Sequence, residues 1–344
     1  MLITVRSFAK INLGLRIGAL RADGFHELRT VYQTIALHDI IRVSVGRGSG
    51  IEIRCEDSRV PKAESNTCYR IVERAMVALK ARGRVVIEIE KRLPVQGGLG
   101  GASANAVATL LGLERALKKA LPGPERLRIA AEVGSDLPLF LVGGTVLGVG
   151  RGEEVHPLPD LSAMPCVVAT PEIGVSTPKA FADWDLLVAR GPQDPRKLTD
   201  PPVSDRMVEF GRALAAWLGG QSQINHRQDK HKSGKASSGV PVSKGRGRAG
   251  NPLLDLVRTG IENDFEQVVF PEYPELRQVK SVLMRAGAVY ASLSGSGSAT
   301  YGLFASREAA KKAAARLRKD GIPATATTTL TRPHYWKKIF DCRF

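Results

Sequence analysis

Between Leu93 and Ala108 the chain reads Leu-Pro-Val-Gln-Gly-Gly-Leu-Gly-Gly-Ala-Ser-Ala-Asn-Ala-Val-Ala, and this stretch constrains the fold more than any other. Before it, Val85–Glu90 is β-branched and partly alternating, which predicts a strand. After it, Ala104–Leu117 is rich in Ala and Leu, which predicts a helix. A glycine-rich loop therefore joins a strand to a helix N-terminus. Glycines adopt positive φ and let a ligand approach the backbone closely. The free N–H groups of the first helical turn, with the macrodipole behind them, favour an anion. Ser103 adds a hydroxyl donor to that turn, and the ligand this predicts is a phosphate chain. A glycine cluster is also compatible with a plain turn. Two commoner phosphate motifs do not fit. No Lys follows the glycines, and they do not fall as Gly-x-Gly-x-x-Gly with an acidic residue about 20 positions on.

The chain has 344 residues, of which 43% are hydrophobic. That length favours about two domains at ~100–200 residues each. No run approaches the ~20 apolar residues of a membrane span, and Met1–Arg6 lacks the pattern of a secretory signal. The four cysteines, Cys55, Cys68, Cys166 and Cys342, are scattered. They predict reduced structural thiols in a cytoplasm, with no metal-ligand spacing among them. The net charge of +16 suits an anionic partner. Part of it lies in Gly219–Gly250, where Gln, Ser, Gly, Lys and Arg displace core-forming residues. That segment is predicted to be a disordered, solvated insertion. Contact with nucleic-acid phosphates is the alternative.

In chain order, Met1–Arg6 reads as a strand. Through Ser7–Leu15, Ile11, Leu13 and Leu15 alternate with Lys10, Asn12 and Gly14, so Lys10 and Asn12 share one strand face. By period alone that face is a solvated edge. Asp23-Gly24 signals a tight turn, followed directly by Phe25 and His26. A ring beside a turn can stack on a nucleobase. The simpler reading is a hairpin with Phe25 packed inward and His26 at the surface. Val31–Asp39, Ile41–Val45 and Ile51–Cys55 read as strands. Asn66–Lys80 reads as a helix with the stripe Cys68, Ile71, Val72, Ala75, Met76 and Leu79. This succession predicts an α+β domain. Asp136 is a lone carboxylate in an apolar run, and a buried charge must be paired. It either caps the segment beginning Leu137-Pro138 or is a catalytic carboxylate held by a cation. The proline-spaced stretch 157–165 is the expected boundary between a domain at 1–156 and one at 157–344. Cys166–Thr170 starts the second domain, and a helix follows with Thr177 as its cap and Pro178 at its first position. Further on, a helix near Pro274–Ala286 closed by Gly287, a strand at Ala288–Ser292, a second glycine-rich loop at 293–300, a strand at Tyr301–Phe304 and a helix at Arg307–Arg318 predict a second α+β layer. Arg332–Phe344 carries no legible signal.

The pattern Pro94-x-x-x-Gly98-Leu99-Gly100-Gly101-x-Ser103 resembles the phosphate loop of the GHMP kinases, the superfamily of galactokinase, homoserine kinase and mevalonate kinase. Residues 292–300 resemble its C-terminal glycine motif. Ser7–Leu13, Asp23–Leu28 with Gln33, and Gly134–Gly144 are similar to one branch, whose acceptor is methylerythritol linked to cytidine diphosphate. Gly150-x-Gly152-Glu153 and Asn263–Glu266 add to that likeness, which spans all but Gly219–Gly250. Phe25 stands where the branch has Tyr, and Gln96 precedes the glycines.

The resemblance implies a two-domain α+β GHMP fold with an N-terminal ATP-binding domain and a ferredoxin-like C-terminal domain. It implies ATP-dependent phosphorylation of the acceptor's 2-hydroxyl, in the non-mevalonate route to isoprenoids, with ATP and Mg²⁺. Lys10 and Asp136 would be the catalytic pair. Pro94, Gln96, Gly97, Gly98, Leu99, Gly100, Gly101, Ala102, Ser103, Ala104 and Asn105 would hold the nucleotide. Asn12, Phe25, His26, Thr177, Gly295 and Ser296 would hold the acceptor, with Phe25 on cytosine. No residue is expected to ligate a metal, and neither a membrane nor nucleic acid is expected as partner. Monomer and homodimer both remain open. So do an acceptor of the homoserine or mevalonate type and a nucleic-acid-binding protein on an ATP-binding fold.

Overall fold

The computed structural model describes residues 1–190, 206–218, 256 and 261–340. The insertion expected at 219–250 and the order expected to resume at Asn251–Leu253 lie outside these residues.

The N-terminal sheet contains β1 (Leu2–Leu20), β2 (His26–Gly46), β3 (Ile51–Cys55), β4 (Arg84–Glu90), β5 (Thr145–Val149) and β6 (Glu154–Pro157). The order is β3-β4-β2-β5-β6, with β1 antiparallel along the other side of β2; only β3 and β4 are parallel. The short strands expected before Val45 are thus two long ones joined by the Asp23-Gly24 turn. Four helices follow the sequence into one face of this sheet. They are α1 (Thr67–Ala78), α2 (Gly101–Leu117), α3 (Gly123–Val133) and α4 (Leu137–Val142). The α1 stripe enters the core through Cys68, Ile71, Val72 and Ala75, while Met76 and Leu79 pack half-buried at its border. The N-cap of α1 is Asn66, whose side chain accepts from Cys68 N, as capping physics expects. Cys55, Cys68 and Cys166 are free and buried.

The second sheet contains β7 (Pro165–Ala169), β8 (Tyr290–Leu293), β9 (Thr300–Leu303) and β10 (Ala324–Thr328) in the order β10-β7-β9-β8. All its pairings are antiparallel. Its helices are α5 (Thr177–Arg190), α6 (Glu266–Glu272), α7 (Pro274–Arg285) and α8 (Arg307–Lys319), and residues 206–218 are also helical. This β-α-β-β-α-β arrangement is ferredoxin-like. Alanines of α8 and Val279 and Leu283 of α7 cover one face of it. The other face packs on the N-terminal sheet, where Ile11, Leu13, Val31 and Ile35 meet Cys166, Val168, Tyr301 and Leu303. A last helix, α9 (Arg332–Ile339), returns to the first core through Tyr335 and Ile339. Among the described residues no helix is long and apolar enough to cross a membrane.

The packing of the two sheets corrects the solvated-edge reading of β1. Lys10 is 4% exposed and Asn12 is 1% exposed. The second sheet covers the face of Ile11 and Leu13, and the loops of the site cover the other. Register slips fall on both sides of Lys10–Asn12, between Phe8 and Lys10 and between Asn12 and Gly14. Such irregularities turn side chains away from the plain alternation of a strand.

Candidate active site

The first glycine loop runs from β4 to α2. Helix α2 begins at Gly101, earlier than Ala104, because Gly100 serves as N-cap in the left-handed region at φ 68°. No side chain caps this end, so amides of the first turn stay available to an anion. Two positions require glycine. A Cβ on Gly98 would stand 2.1 Å from the Ser294 carbonyl oxygen, and one on Gly100 would stand 3.0 Å from Phe140 Cζ and 3.1 Å from Lys10 Cγ. The close approach at Gly98 exists because the second glycine loop is tied to the first. Ser294 Oγ donates to Gly98 O (2.9 Å), and Ala299 N donates to Gly97 O (3.1 Å). Asn263 Nδ2 donates to Leu293 O and Gly295 O, fixing the second loop in turn. Strand β1 joins through Lys10 N, which donates to Leu99 O at 3.0 Å.

Two cavities lie on either side of the first loop. One, of about 330 Å³, is lined by residues 94–103 and Asn105 together with Asn66, Thr67 and Lys91. Ala104 instead faces the core. The other, of about 630 Å³, is lined by Lys10, Asn12, Phe25, His26, Asp136, Thr177, Gly295 and Ser296, all singled out in the sequence. Gly98 and Gly100 line both.

Lys10 and Asp136 meet at this seam. Lys10 Nζ stands 3.5 Å from Asp136 Oδ2 and donates to Asn12 Oδ1 at 2.7 Å. Asn12 Nδ2 donates to Thr30 Oγ1 at 2.8 Å, so the amide is oriented from behind. Asp136 sits at the start of α4, yet its side chain makes no capping hydrogen bond. Its carboxylate, 31% exposed, is turned into the cavity instead. Oδ1 accepts from Tyr32 Oη at 3.0 Å. Burial, and then the neighbouring Asp136 charge, push the Tyr32 hydroxyl well above its usual range. It therefore keeps its proton and acts toward Asp136 as a donor.

The Asp23-Gly24 turn presents its two rings in the reverse of the simpler hairpin expectation. Phe25 is 50% exposed and His26 is buried. The His26 ring stacks on Phe181 of α5 (5.0 Å between centroids, 7° between planes), and its Nε2 donates to Asp185 at 2.7 Å. An apolar ring partner and a carboxylate on α5 draw the imidazole inward. Phe25 stays at the cavity rim with the Arg151 guanidinium 4.9 Å from its centroid. Thr177 Oγ1 and Ser296 Oγ, from α5 and the second glycine loop, share a 2.7 Å hydrogen bond across the cavity floor.

Sequence reasoning missed several residues. Tyr32, Arg151, Phe181 and Asp185 have no motif of their own, and only the fold brings them to the cavity. Asp39 is fully buried and binds Lys91 Nζ (2.6 Å), Arg92 N and Leu93 N (2.7 Å each) and Asn105 Nδ2 (3.0 Å). It thereby pins the start of the first loop to α2. Its one sequence signal is a carboxylate between the apolar strand residues Leu37 and Ile40. Among the described residues no group of three His, Cys, Asp or Glu could hold a metal ion.

The chain matches two family models, GHMP kinases N terminal domain over residues 66–144 and GHMP kinases C terminal over residues 250–322. It is 37% identical over 316 residues to a 4-diphosphocytidyl-2-C-methyl-D-erythritol kinase of Solibacter usitatus, covering 92% of this chain and 85% of that one. The fold is similar to the crystal structure of a 4-(cytidine 5'-diphospho)-2C-methyl-D-erythritol kinase, with a TM-score of 0.67, 28% identity and coverage of 95% and 98%. It is also similar to homoserine kinase from Cytophaga hutchinsonii, with a TM-score of 0.64, 22% identity and coverage of 96% and 95%. The latter likeness concerns the fold alone.

Proposed function

Since the chain belongs to the 4-diphosphocytidyl-2-C-methyl-D-erythritol kinase family of the GHMP kinases, and so is an ATP-dependent small-molecule kinase of isoprenoid synthesis, we propose that it phosphorylates the 2-hydroxyl of 4-diphosphocytidyl-2-C-methyl-D-erythritol. In this reading ATP lies in the cavity of the first glycine loop, with its phosphates on the amides of Gly100–Ser103. The acceptor lies in the second cavity, with its cytosine on the Phe25 ring and near His26. The observation that carries the reading is the position of Lys10 and Asp136 at the one place where the two cavities share lining residues. That is where a γ-phosphoryl and an acceptor hydroxyl would meet.

Phosphoryl transfer asks mainly for alignment and charge neutralisation. Asp136 accepts the hydroxyl proton as the oxygen–phosphorus bond forms and the bond to the ADP leaving oxygen breaks. Lys10 neutralises charge developing on the transferred group and, through its ion pair, orients the carboxylate. Tyr32 holds the other carboxylate oxygen. Asn12 fixes the lysine, and Gly295, Ser296 and Thr177 close the floor below the phosphoryl group. Mg²⁺ would accompany ATP and share the neutralisation of its phosphate charge.

The test is an ADP-release assay with three acceptors, the cytidine diphosphate substrate, homoserine and mevalonate, with the product placed by ³¹P NMR. Turnover of the first alone, with a new phosphomonoester on carbon 2, is expected. Comparable turnover of homoserine or mevalonate overturns the assignment.

A further inference from the structure

The last helix, α9, gave no sequence signal, yet its side chains meet both elements that carry Lys10 and Asp136. Helix α4 is 6 residues long and follows Asp136 directly. A helix this short leaves most of its carbonyls without internal partners, and α9 supplies donors to two of them and to the Gly143 carbonyl that follows. Tyr335 Oη donates to Phe140 O at 2.6 Å, Trp336 Nε1 to Val142 O at 3.0 Å and Arg332 Nε to Gly143 O at 3.2 Å. The fit is close, for a Cβ on Gly143 would stand 2.4 Å from Tyr335 Cδ1. The Tyr335 ring also packs on Phe8, with centroids 5.6 Å apart. Phe8 lies on β1 two residues before Lys10. Burial pushes the Tyr335 hydroxyl up from its ordinary range, so it remains a donor.

We propose that Tyr335 is a positioning residue that sets the distance between Asp136 and Lys10, its hydroxyl holding α4 and its ring holding β1. The inference rests on the reading above, in which Asp136 takes the proton. Misplacement of a reacting group by about 1 Å costs up to ~10²-fold in rate. Loss of one tether that leaves the ring in place is a smaller disturbance.

The test is Tyr335→Phe in the full chain, assayed by single turnover with ATP and the cytidine diphosphate acceptor, alone and combined with Asp136→Asn. The expected result is a kcat lowered on the order of tenfold, with KM unchanged for both substrates and the folded fraction unchanged by circular dichroism. In the Asp136→Asn background the same change has no further effect, because coupled residues are not additive. Wild-type turnover by Tyr335→Phe overturns the inference, as does an equal loss in both backgrounds or a loss that tracks the unfolded fraction. If Tyr335→Phe fails to fold, Trp336→Phe, which removes the bond to Val142 and trims the ring packed edge-on against Tyr335, carries the same cycle. If Asp136→Asn turns over like wild type, the proton-acceptor reading falls and takes this inference with it. An impaired Asp136→Asn beside an unimpaired Tyr335→Phe removes only the role of Tyr335.

Discussion

Asp39→Asn tests how the cavity of the first glycine loop is built. Both Asp39 oxygens are committed. Oδ1 accepts the amides of Arg92 and Leu93, and Oδ2 accepts Lys91 Nζ and Asn105 Nδ2. An asparagine can keep its oxygen on the two amides. Its NH₂ then faces an ammonium and another amide NH₂, so two donors lose their acceptor. The charge-assisted bond alone is worth ~1.5–3 kcal/mol. Lys91, whose side chain is 10% exposed, also becomes an uncompensated, mostly buried cation, and breaking such a pair costs ~3–5 kcal/mol. The two figures describe overlapping losses, so the expected cost is ~3–5 kcal/mol, read by denaturant unfolding. Lys91 and Asn105 line the cavity proposed for the nucleotide and not the one proposed for the acceptor. KM for ATP should therefore rise several-fold while KM for the acceptor holds. Adding Lys91→Met should restore part of the lost stability, because no cation then remains buried. A cost below ~1 kcal/mol with an unchanged KM for ATP would refute the reasoning.

Gly100→Ala forces a Cβ against Phe140 and Lys10 at φ +68°. It should cost ~1–2 kcal/mol from the left-handed backbone alone and lower kcat by displacing Lys10; melting and turnover like wild type would contradict this. Burial pushes the His38 imidazole below its usual range, against the opposing pull of its 2.8 Å hydrogen bond to the Ala36 carbonyl. The folded state thus favours the neutral ring. Its stabilisation is whole above ~6.5, the ordinary histidine value, and is lost as pH falls from there toward the depressed folded value. Wild type should lose Tm between pH 7 and 5.5, and His38→Gln should lose less; equal losses would remove His38 from the account.

Much of the frame could be read from local pattern. The strand, glycine loop and helix around Gly98–Ser103 are contiguous, and so are the α1 stripe, the Gly287 stop and the second glycine loop. What sequence could not decide was which faces the tertiary fold would cover. Period made Lys10 and Asn12 neighbours but left them on an edge, because the second sheet and its loops come from more than 100 residues away. The same distance hid the inward turn of His26, drawn by Phe181 and Asp185. Asp136 fits both a cap and a catalytic carboxylate by residue type. Its missing capping bond tells against the cap, and its pairing with Lys10 and Tyr32 is a tertiary contact that residue type does not reveal. Asp39 and Tyr335 meet backbone and side-chain groups of remote segments, and residue type does not announce such partners.

The most direct test of the proposed catalytic pair is the turnover of Asp136→Asn, measured beside its affinity for a fluorescent ATP analogue. A positioned general base is worth ~10²–10⁴-fold, so kcat should fall by ~10² or more while nucleotide affinity stays as in wild type. Turnover within a few-fold of wild type would contradict the assignment of proton transfer to this carboxylate.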